Sequence, residues 1–142
     1  MNNSLHIELP AKIENLGKFS ESVLKCAKNA GIDQKKLMHI NIALEEVIVN
    51  IINYSYVNTE GKITIECSTE SKNRFIITII DSGPPFDITA SLTPDLTSDI
   101  DNRAIGGLGI HLVKKMMDEV HYHHENKQNI LKLIINIEKE IK

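Results

Sequence analysis

The chain is short of the features that would make its role easy to assign. It has two cysteines, Cys26 and Cys67, far apart and without C-x-x-C spacing. That excludes a disulfide scaffold and a thiolate metal framework, and both residues read as small buried hydrophobes. It has no charge excess of note: the formal net charge is −3 over 142 residues. Basic pairs such as Lys35-Lys36 and Lys114-Lys115 read as solvated helix faces, so neither a nucleic-acid nor an anionic-membrane surface is expected. No apolar run reaches membrane-spanning length, and MNNSLHIELP lacks the basic segment and apolar stretch of a secretory leader. A soluble cytoplasmic protein is the expectation. There is no internal repeat. The composition, 42% hydrophobic and 25% charged, suits one globular domain over residues 1–142.

What is present is organised around NIALEEVIVNIINYSY, residues 41–56. At 100° per residue, Leu37, Ile40, Leu44, Ile48 and Ile51 share one side, widened by Val47 and Ile52. The spacing predicts one long buried helix, begun by an Asp33 cap and ended near Asn58–Gly61. His39, Glu46, Asn50 and Asn53 form a narrow polar stripe on it. Buried polar groups are costly unless something satisfies them, and Glu46 and Asn50, four apart, reach toward one spot.

The remaining pattern is regular. Leu5, Ile7 and Leu9 alternate as a short strand ended by Pro10. Ile13, Leu16, Phe19, Val23, Ala27 and Ala30 recur as an amphipathic helix stopped by Gly31. Lys62–Ser68 alternates. Phe75–Ile80 is apolar at nearly every position, which predicts a central strand covered on both sides. From Pro84 to Ile105 no period is visible, as in a functional lid. A helix with Ile110, Val113, Met116 and Met117 inward follows, then a hairpin turning around Asn126–Asn129. Strand, two helices, two strands, lid, helix and two strands suit a two-layer α/β sandwich, with a mixed sheet bearing three helices on one face.

Three places carry chemistry. A carboxylate such as Glu46, held in a partly apolar pocket, can serve as a general base, because burial raises a carboxylate's pKa; an asparagine carbonyl such as that of Asn50 is a hard neutral oxygen suited to Mg²⁺. The competing reading is that both face water at the rim. Asp81-Ser82-Gly83 ends a buried strand with an acceptor and a glycine that lets a flat ligand approach; alone, it reads as a turn. Gly106-Gly107-Leu108-Gly109 opens a helix, where free N–H groups and the helix dipole favour an anion. It matches neither the P-loop nor the full dinucleotide fingerprint, and alone it reads as a tight turn. A fourth cluster, His121, His123 and His124, reads as a solvated strand face rather than a metal site.

In order, Glu-x-x-x-Asn on a helix, Asp-x-Gly after a strand, a polar lid and Gly-x-Gly opening a helix resemble the GHKL (Bergerat-fold) ATPase superfamily. The phrases ALEEVIVN, DSGPPFD and GGLGIHLVKKMMDEVHY resemble its anti-sigma factor serine/threonine kinase branch, and the resemblance covers nearly the whole chain. It implies a histidine-kinase-like ATP-binding α+β fold with a lid near residues 84–105, ATP and Mg²⁺ as cofactors, and phosphorylation of an anti-anti-sigma (STAS-like) antagonist. A sigma factor and a homodimer partner are implied with it. The helical hairpin of a histidine kinase is not expected. Carried over by position, Glu46 is the base, Asn50 holds Mg²⁺, Asp81 accepts from the adenine amino group and Gly83 lines the base pocket. Gly107, Leu108 and Gly109 meet the phosphates, Arg103 the γ-phosphate, and Asn53 lies near the phosphates. Asp118 resembles an acid with a structural role.

Two departures stand out. Gln128-Asn129-Ile130 occupies the place where the family often has Gly-Thr, leaving one nucleotide contact unassigned. The lid carries Asp87, Asp95, Asp99 and Asp101 against the single basic Arg103. These features leave open an alternative: a nucleotide-binding regulator of a protein partner that performs no chemistry.

Overall fold

The structure is a computed structural model, and it describes residues 4–56, 60–71, 73–85 and 107–137. Strand β1 (Leu5–Pro10) leads through a short 3₁₀ turn (Ile13–Asn15) into helix α1 (Leu16–Asn29). Helix α2 (Gln34–Asn50) runs into a π-helical turn (Ile51–Ser55). Strands β2 (Lys62–Glu70) and β3 (Arg74–Asp81) follow, then helix α3 (Gly107–Met116) and strands β4 (Glu119–Glu125) and β5 (Gln128–Asn136).

The strands form one sheet in the order β1-β2-β3-β5-β4, and all four pairings are antiparallel. The expected mixed sheet is therefore corrected among the described residues. The excursion through α3 does bring β4 back parallel to β3. The last hairpin then inserts β5 between those two strands, so no parallel neighbours remain.

One face of the sheet carries the core. Phe75, Ile77 and Ile79 of β3, Ile63 and Ile65 of β2, and Leu131, Leu133 and Ile135 of β5 are buried there. They pack against Phe19, Val23 and Ala27 of α1, Ile40, Leu44, Val47 and Ile48 of α2, and Val113 of α3. Each of these Val, Leu, Ile and Phe side chains contributes about 1.5–3 kcal/mol by leaving water. On the other face Ile76, Thr78 and Ile80 are half-buried, and Ile134 of β5, across from Ile76, is buried. The expectation of a strand covered on both sides is not met among the described residues: β3 is central, and no described helix lies on its second face.

Local chemistry explains the ends. Asp33 Oδ1 accepts from the Lys36 backbone N–H at 2.8 Å, the predicted cap. Gly31, at φ +100°, lets the chain leave α1. Ile13 was expected on the inner face of α1; it lies instead in the 3₁₀ turn, 62% exposed. Asp118 accepts from the Asn136 backbone N–H at 2.6 Å, tying the end of α3 to β5 as expected of a structural acid.

The largest local correction concerns the organising helix. It is not α-helical to Tyr56: after Asn50 the chain takes a π turn, closed by a hydrogen bond from Tyr56 N–H to the Ile51 carbonyl at 3.3 Å. Such turns put one extra residue into a helix, and they concentrate at functional sites.

Candidate nucleotide site

The pocket lies where α2 and the π turn meet the ends of β3 and β5. Val47, Asn50, Ile51, Ser55, Ile79, Asp81, Tyr122, Asn129 and Leu131 line it. The pocket is partly open, and its volume is about 20 Å³, room for a single water. Three of its residues, Asn50, Asp81 and Asn129, are polar and no more than 5% exposed. Buried polar atoms demand partners, so the hydrogen bonds here define what remains available to a ligand.

Asn50 Nδ2 donates back to the Glu46 backbone carbonyl at 2.6 Å. The amide is thereby pinned against its own helix, and its Oδ1 takes no hydrogen bond among the described residues. That oxygen is the hard neutral donor a divalent cation accepts. Glu46, one turn earlier, is half-buried, and it contributes only its backbone carbonyl to these contacts.

Asp81 ends β3 on the helix-covered face. Its Oδ1 accepts from the Gly83 backbone N–H at 2.9 Å and from Asn129 Nδ2 at 3.0 Å. Its Oδ2 takes no hydrogen bond among the described residues. Gly83 is pressed against the π turn: a β-carbon built on it would lie 2.5 Å from Ser55 Cβ. The close approach at this glycine is to the protein's own backbone rather than to a ligand, and Gly83 is not among the residues that line the pocket.

Tyr56 latches the two walls together. Its hydroxyl accepts from the Ser82 backbone N–H at 2.6 Å and donates to the Lys62 carbonyl at 2.9 Å. Burial pushes this phenol's pKa up, and the nearby Asp81 charge adds to the effect, while the bond from Ser82 opposes it.

Asn53 is exposed and does not line the pocket. The π turn is the reason: it aligns residues five apart, so Ser55 takes the place beyond Asn50 that an α-helix would give to Asn53 or Tyr54. For Gly107, Leu108 and Gly109 the backbone is described: they open α3, which packs against α2. Their N–H groups begin this helix. Arg103 and residues 86–106 lie outside the described residues.

Asn129, Ser55, Tyr56 and Tyr122 were not among the expected site residues. The spacing puts Asn129 in the turn of the last hairpin. The turn is tighter: only Asn126 and Lys127 have left-handed backbones, φ 53° and 63°. An Asn in the first such position is the signal that would have revealed a two-residue turn. It sets Asn129 inside β5, directly across from Asp81 and on the same buried side as Leu131 and Leu133.

Elsewhere, His121, His123 and His124 are exposed on the edge strand β4, and no group of metal-holding side chains occurs among the described residues. No described helix is long and apolar enough to cross a membrane.

Comparison with known proteins bears on this geometry. Residues 9–135 match the family model of the histidine kinase-like ATPase domain. The serine-protein kinase RsbW of Listeria monocytogenes is 30% identical, over 99% of this chain and 92% of its own. The serine-protein kinase RsbW of Bacillus cereus is 24% identical, over 89% of this chain and 81% of its own. Among solved structures, one holding RsbU and RsbW domains from Mycobacterium tuberculosis superposes with a TM-score of 0.69 at 16% identity. It covers 96% of this chain, which spans a third (33%) of that longer one; at this identity the likeness speaks for the fold alone.

Proposed function

The chain belongs to the histidine kinase-like ATPase domain family, and from that we propose that it is an ATP-using serine-protein kinase whose target is a regulatory protein. One observation carries the reading. Asn50 Oδ1 and Asp81 Oδ2, each without a hydrogen bond among the described residues, share one buried pocket at the ends of α2 and β3. A purine amino group and a metal-bound phosphate chain need that pair: an acceptor for the base, and a hard oxygen nearer the helix that α3 faces.

The residues divide the work. Asp81 Oδ2 accepts from the adenine amino group, and Gly83 keeps the wall beside it flat. Asn50 fits Mg²⁺, since its amide nitrogen is already committed and only its carbonyl oxygen is left; the ion neutralises phosphate charge when bound. Gly107, Leu108 and Gly109 present helix-opening N–H groups to the phosphates, and Arg103 supplies positive charge to the γ-phosphate. Glu46 takes the proton of the incoming serine hydroxyl as that oxygen bonds to the γ-phosphorus and the bond to ADP breaks. Asn53, being exposed, has no part in this scheme.

The target is an anti-anti-sigma type antagonist, and a sigma factor is the second partner, so that phosphorylation decides which of the two is held. The names of the relatives and the family fold support the kinase reading; the partner assignment rests on the resemblance of the sequence.

The test uses the purified chain with Mg-ATP and a candidate antagonist. Labelled phosphate should appear on an antagonist serine, and Glu46→Gln should bind nucleotide yet transfer at least about a hundredfold more slowly, the low end of what a general base contributes. Binding without any transfer would select the regulator that performs no chemistry. Equal transfer by wild type and Glu46→Gln would remove Glu46 from the role of base.

A further inference from the structure

Asn129 stands in the segment where the sequence left one nucleotide contact unassigned, and its contacts are more specific than packing requires. Its Nδ2 donates to Asp81 Oδ1 at 3.0 Å, to the Pro84 carbonyl at 2.9 Å and to the Gly83 carbonyl at 3.3 Å. Its Oδ1 accepts from the Tyr122 hydroxyl and lies 3.3 Å from His124 Nδ1. The orientation of the amide is forced: a carboxylate and two carbonyls can be met only by its NH₂ group. In the sheet, His124, Asn129 and Asp81 form one cross-strand row, with Asn129 paired to both neighbours. The side chain is 4% exposed.

We propose that Asn129, oriented by Tyr122, is the positioning residue that makes the base pocket select 6-aminopurine over 6-oxopurine nucleotides. The inference rests on the nucleotide-binding reading above and adds what sets its specificity. With Nδ2 and the Gly83 N–H both on Oδ1, the Asp81 carboxylate cannot turn, and Oδ2 is the oxygen offered. An ionised carboxylate only accepts, so the base must bring a donor to that point. Adenine brings its 6-amino group; guanine brings a carbonyl, and acceptor faces acceptor. Without Asn129 the carboxylate is held only by Gly83. It is then free to rotate and take the two adjacent N–H donors of guanine with both oxygens. Sites that hydrogen-bond a substrate group discriminate strongly because a wrong partner leaves buried polar atoms unpaired.

The experiment is calorimetric binding of ADP and GDP to the full chain: wild type, Asn129→Ala, Asn129→Asp and Tyr122→Phe, each checked for a cooperative melt. Wild type should bind ADP and reject GDP. In Asn129→Ala, ADP affinity should fall about tenfold, the worth of one hydrogen bond to a charged group, while GDP affinity holds or rises. Tyr122→Phe should lose less, in the same direction. Asn129→Asp keeps the shape of the side chain but sets two carboxylates in contact. Like charges raise the pKa of such a pair, so below that raised value a shared proton restores the donor to Asp81. ADP binding by this variant should be weak at pH 8 and recover toward pH 5.5. Wild type, carrying the same Tyr122, His124 and Asp81 around the position, is the control at each pH. A folded Asn129→Ala that keeps the wild-type ADP-to-GDP ratio would overturn the proposal. So would an Asn129→Asp whose ADP affinity follows wild type at every pH. Should wild type bind no adenine nucleotide at all, the functional reading falls, and this inference with it.

Discussion

Ser55 and Gly83 are in backbone contact across the site: a β-carbon on Gly83 would sit 2.9 Å from both the Cα and the carbonyl oxygen of Ser55. Neither atom can swing aside as a side chain would. Gly83→Ala should therefore push the Asp81-Ser82-Gly83 turn off the π turn. We expect a loss of about 1–3 kcal/mol in denaturant unfolding, typical of overpacking, together with loss of ATP-induced thermal stabilisation. A fully stable variant would mean that the turn and the helix end separate easily.

Tyr56 supplies the polar half of that contact. Tyr56→Phe keeps the ring against Gly61 but leaves the Ser82 N–H and the Lys62 carbonyl without their partner. Both groups are close to the surface, so water recovers part of the loss. About 1 kcal/mol of destabilisation by urea titration is expected, with nucleotide affinity reduced as well.

Asn50 should matter through the metal. Asn50→Ala removes the free Oδ1 along with a bond to the helix's own carbonyl, which costs the fold little. The melting shift produced by Mg-ATP should shrink to the shift produced by ATP in chelator, while wild type keeps a clear difference between the two. Equal magnesium dependence in both proteins would assign the ion to another residue.

The chain should weaken at alkaline pH. Burial pushes the Cys67 thiol well up, with a smaller contribution from nearby Cys26; Cys26 and Tyr56 are raised as well, chiefly by burial. For each group the folded state holds its proton more tightly than the unfolded chain does. The associated stability is thus complete below the unfolded value, about 8.5 for a thiol, and is lost as pH climbs from there toward the raised folded value. Melting temperature should fall from pH 8.5 to 10.5, and less steeply in Cys67→Val.

Much of this arrangement was legible in the sequence because it follows from periodicity. The alternation in β1 and β2, the apolar side of α2, the Asp33 cap and the Gly31 stop are local rules that the fold obeys. The pairing of Asn50 with Asp81 was legible only from motif order, since the two residues come together through tertiary packing. What escaped had physical causes. A π turn leaves no mark in hydrophobic spacing, because Ile51 and Ile52 suit either helix; Asn53 was therefore aimed at the site and Ser55 was not. Asn129 is hidden in the sequence because Asn126–Asn129 reads as a four-residue turn, whereas only Asn126 and Lys127 make it. Ile76 and Ile80 are apolar yet only half-buried, so residue type alone overstated the cover on that face.

The π turn also bears on how the chain can change over generations. It is a helix holding one residue more than an α-helical path needs, so losing one in-frame codon between Ile51 and Ser55 would let the segment relax to regular α-helix. The residues on either side would keep their places, because the extra residue is what the π turn absorbs. Core, sheet and the Tyr56 contacts would survive together. Exposed Asn53 is a place where inheritance can tolerate many different residues, or one fewer.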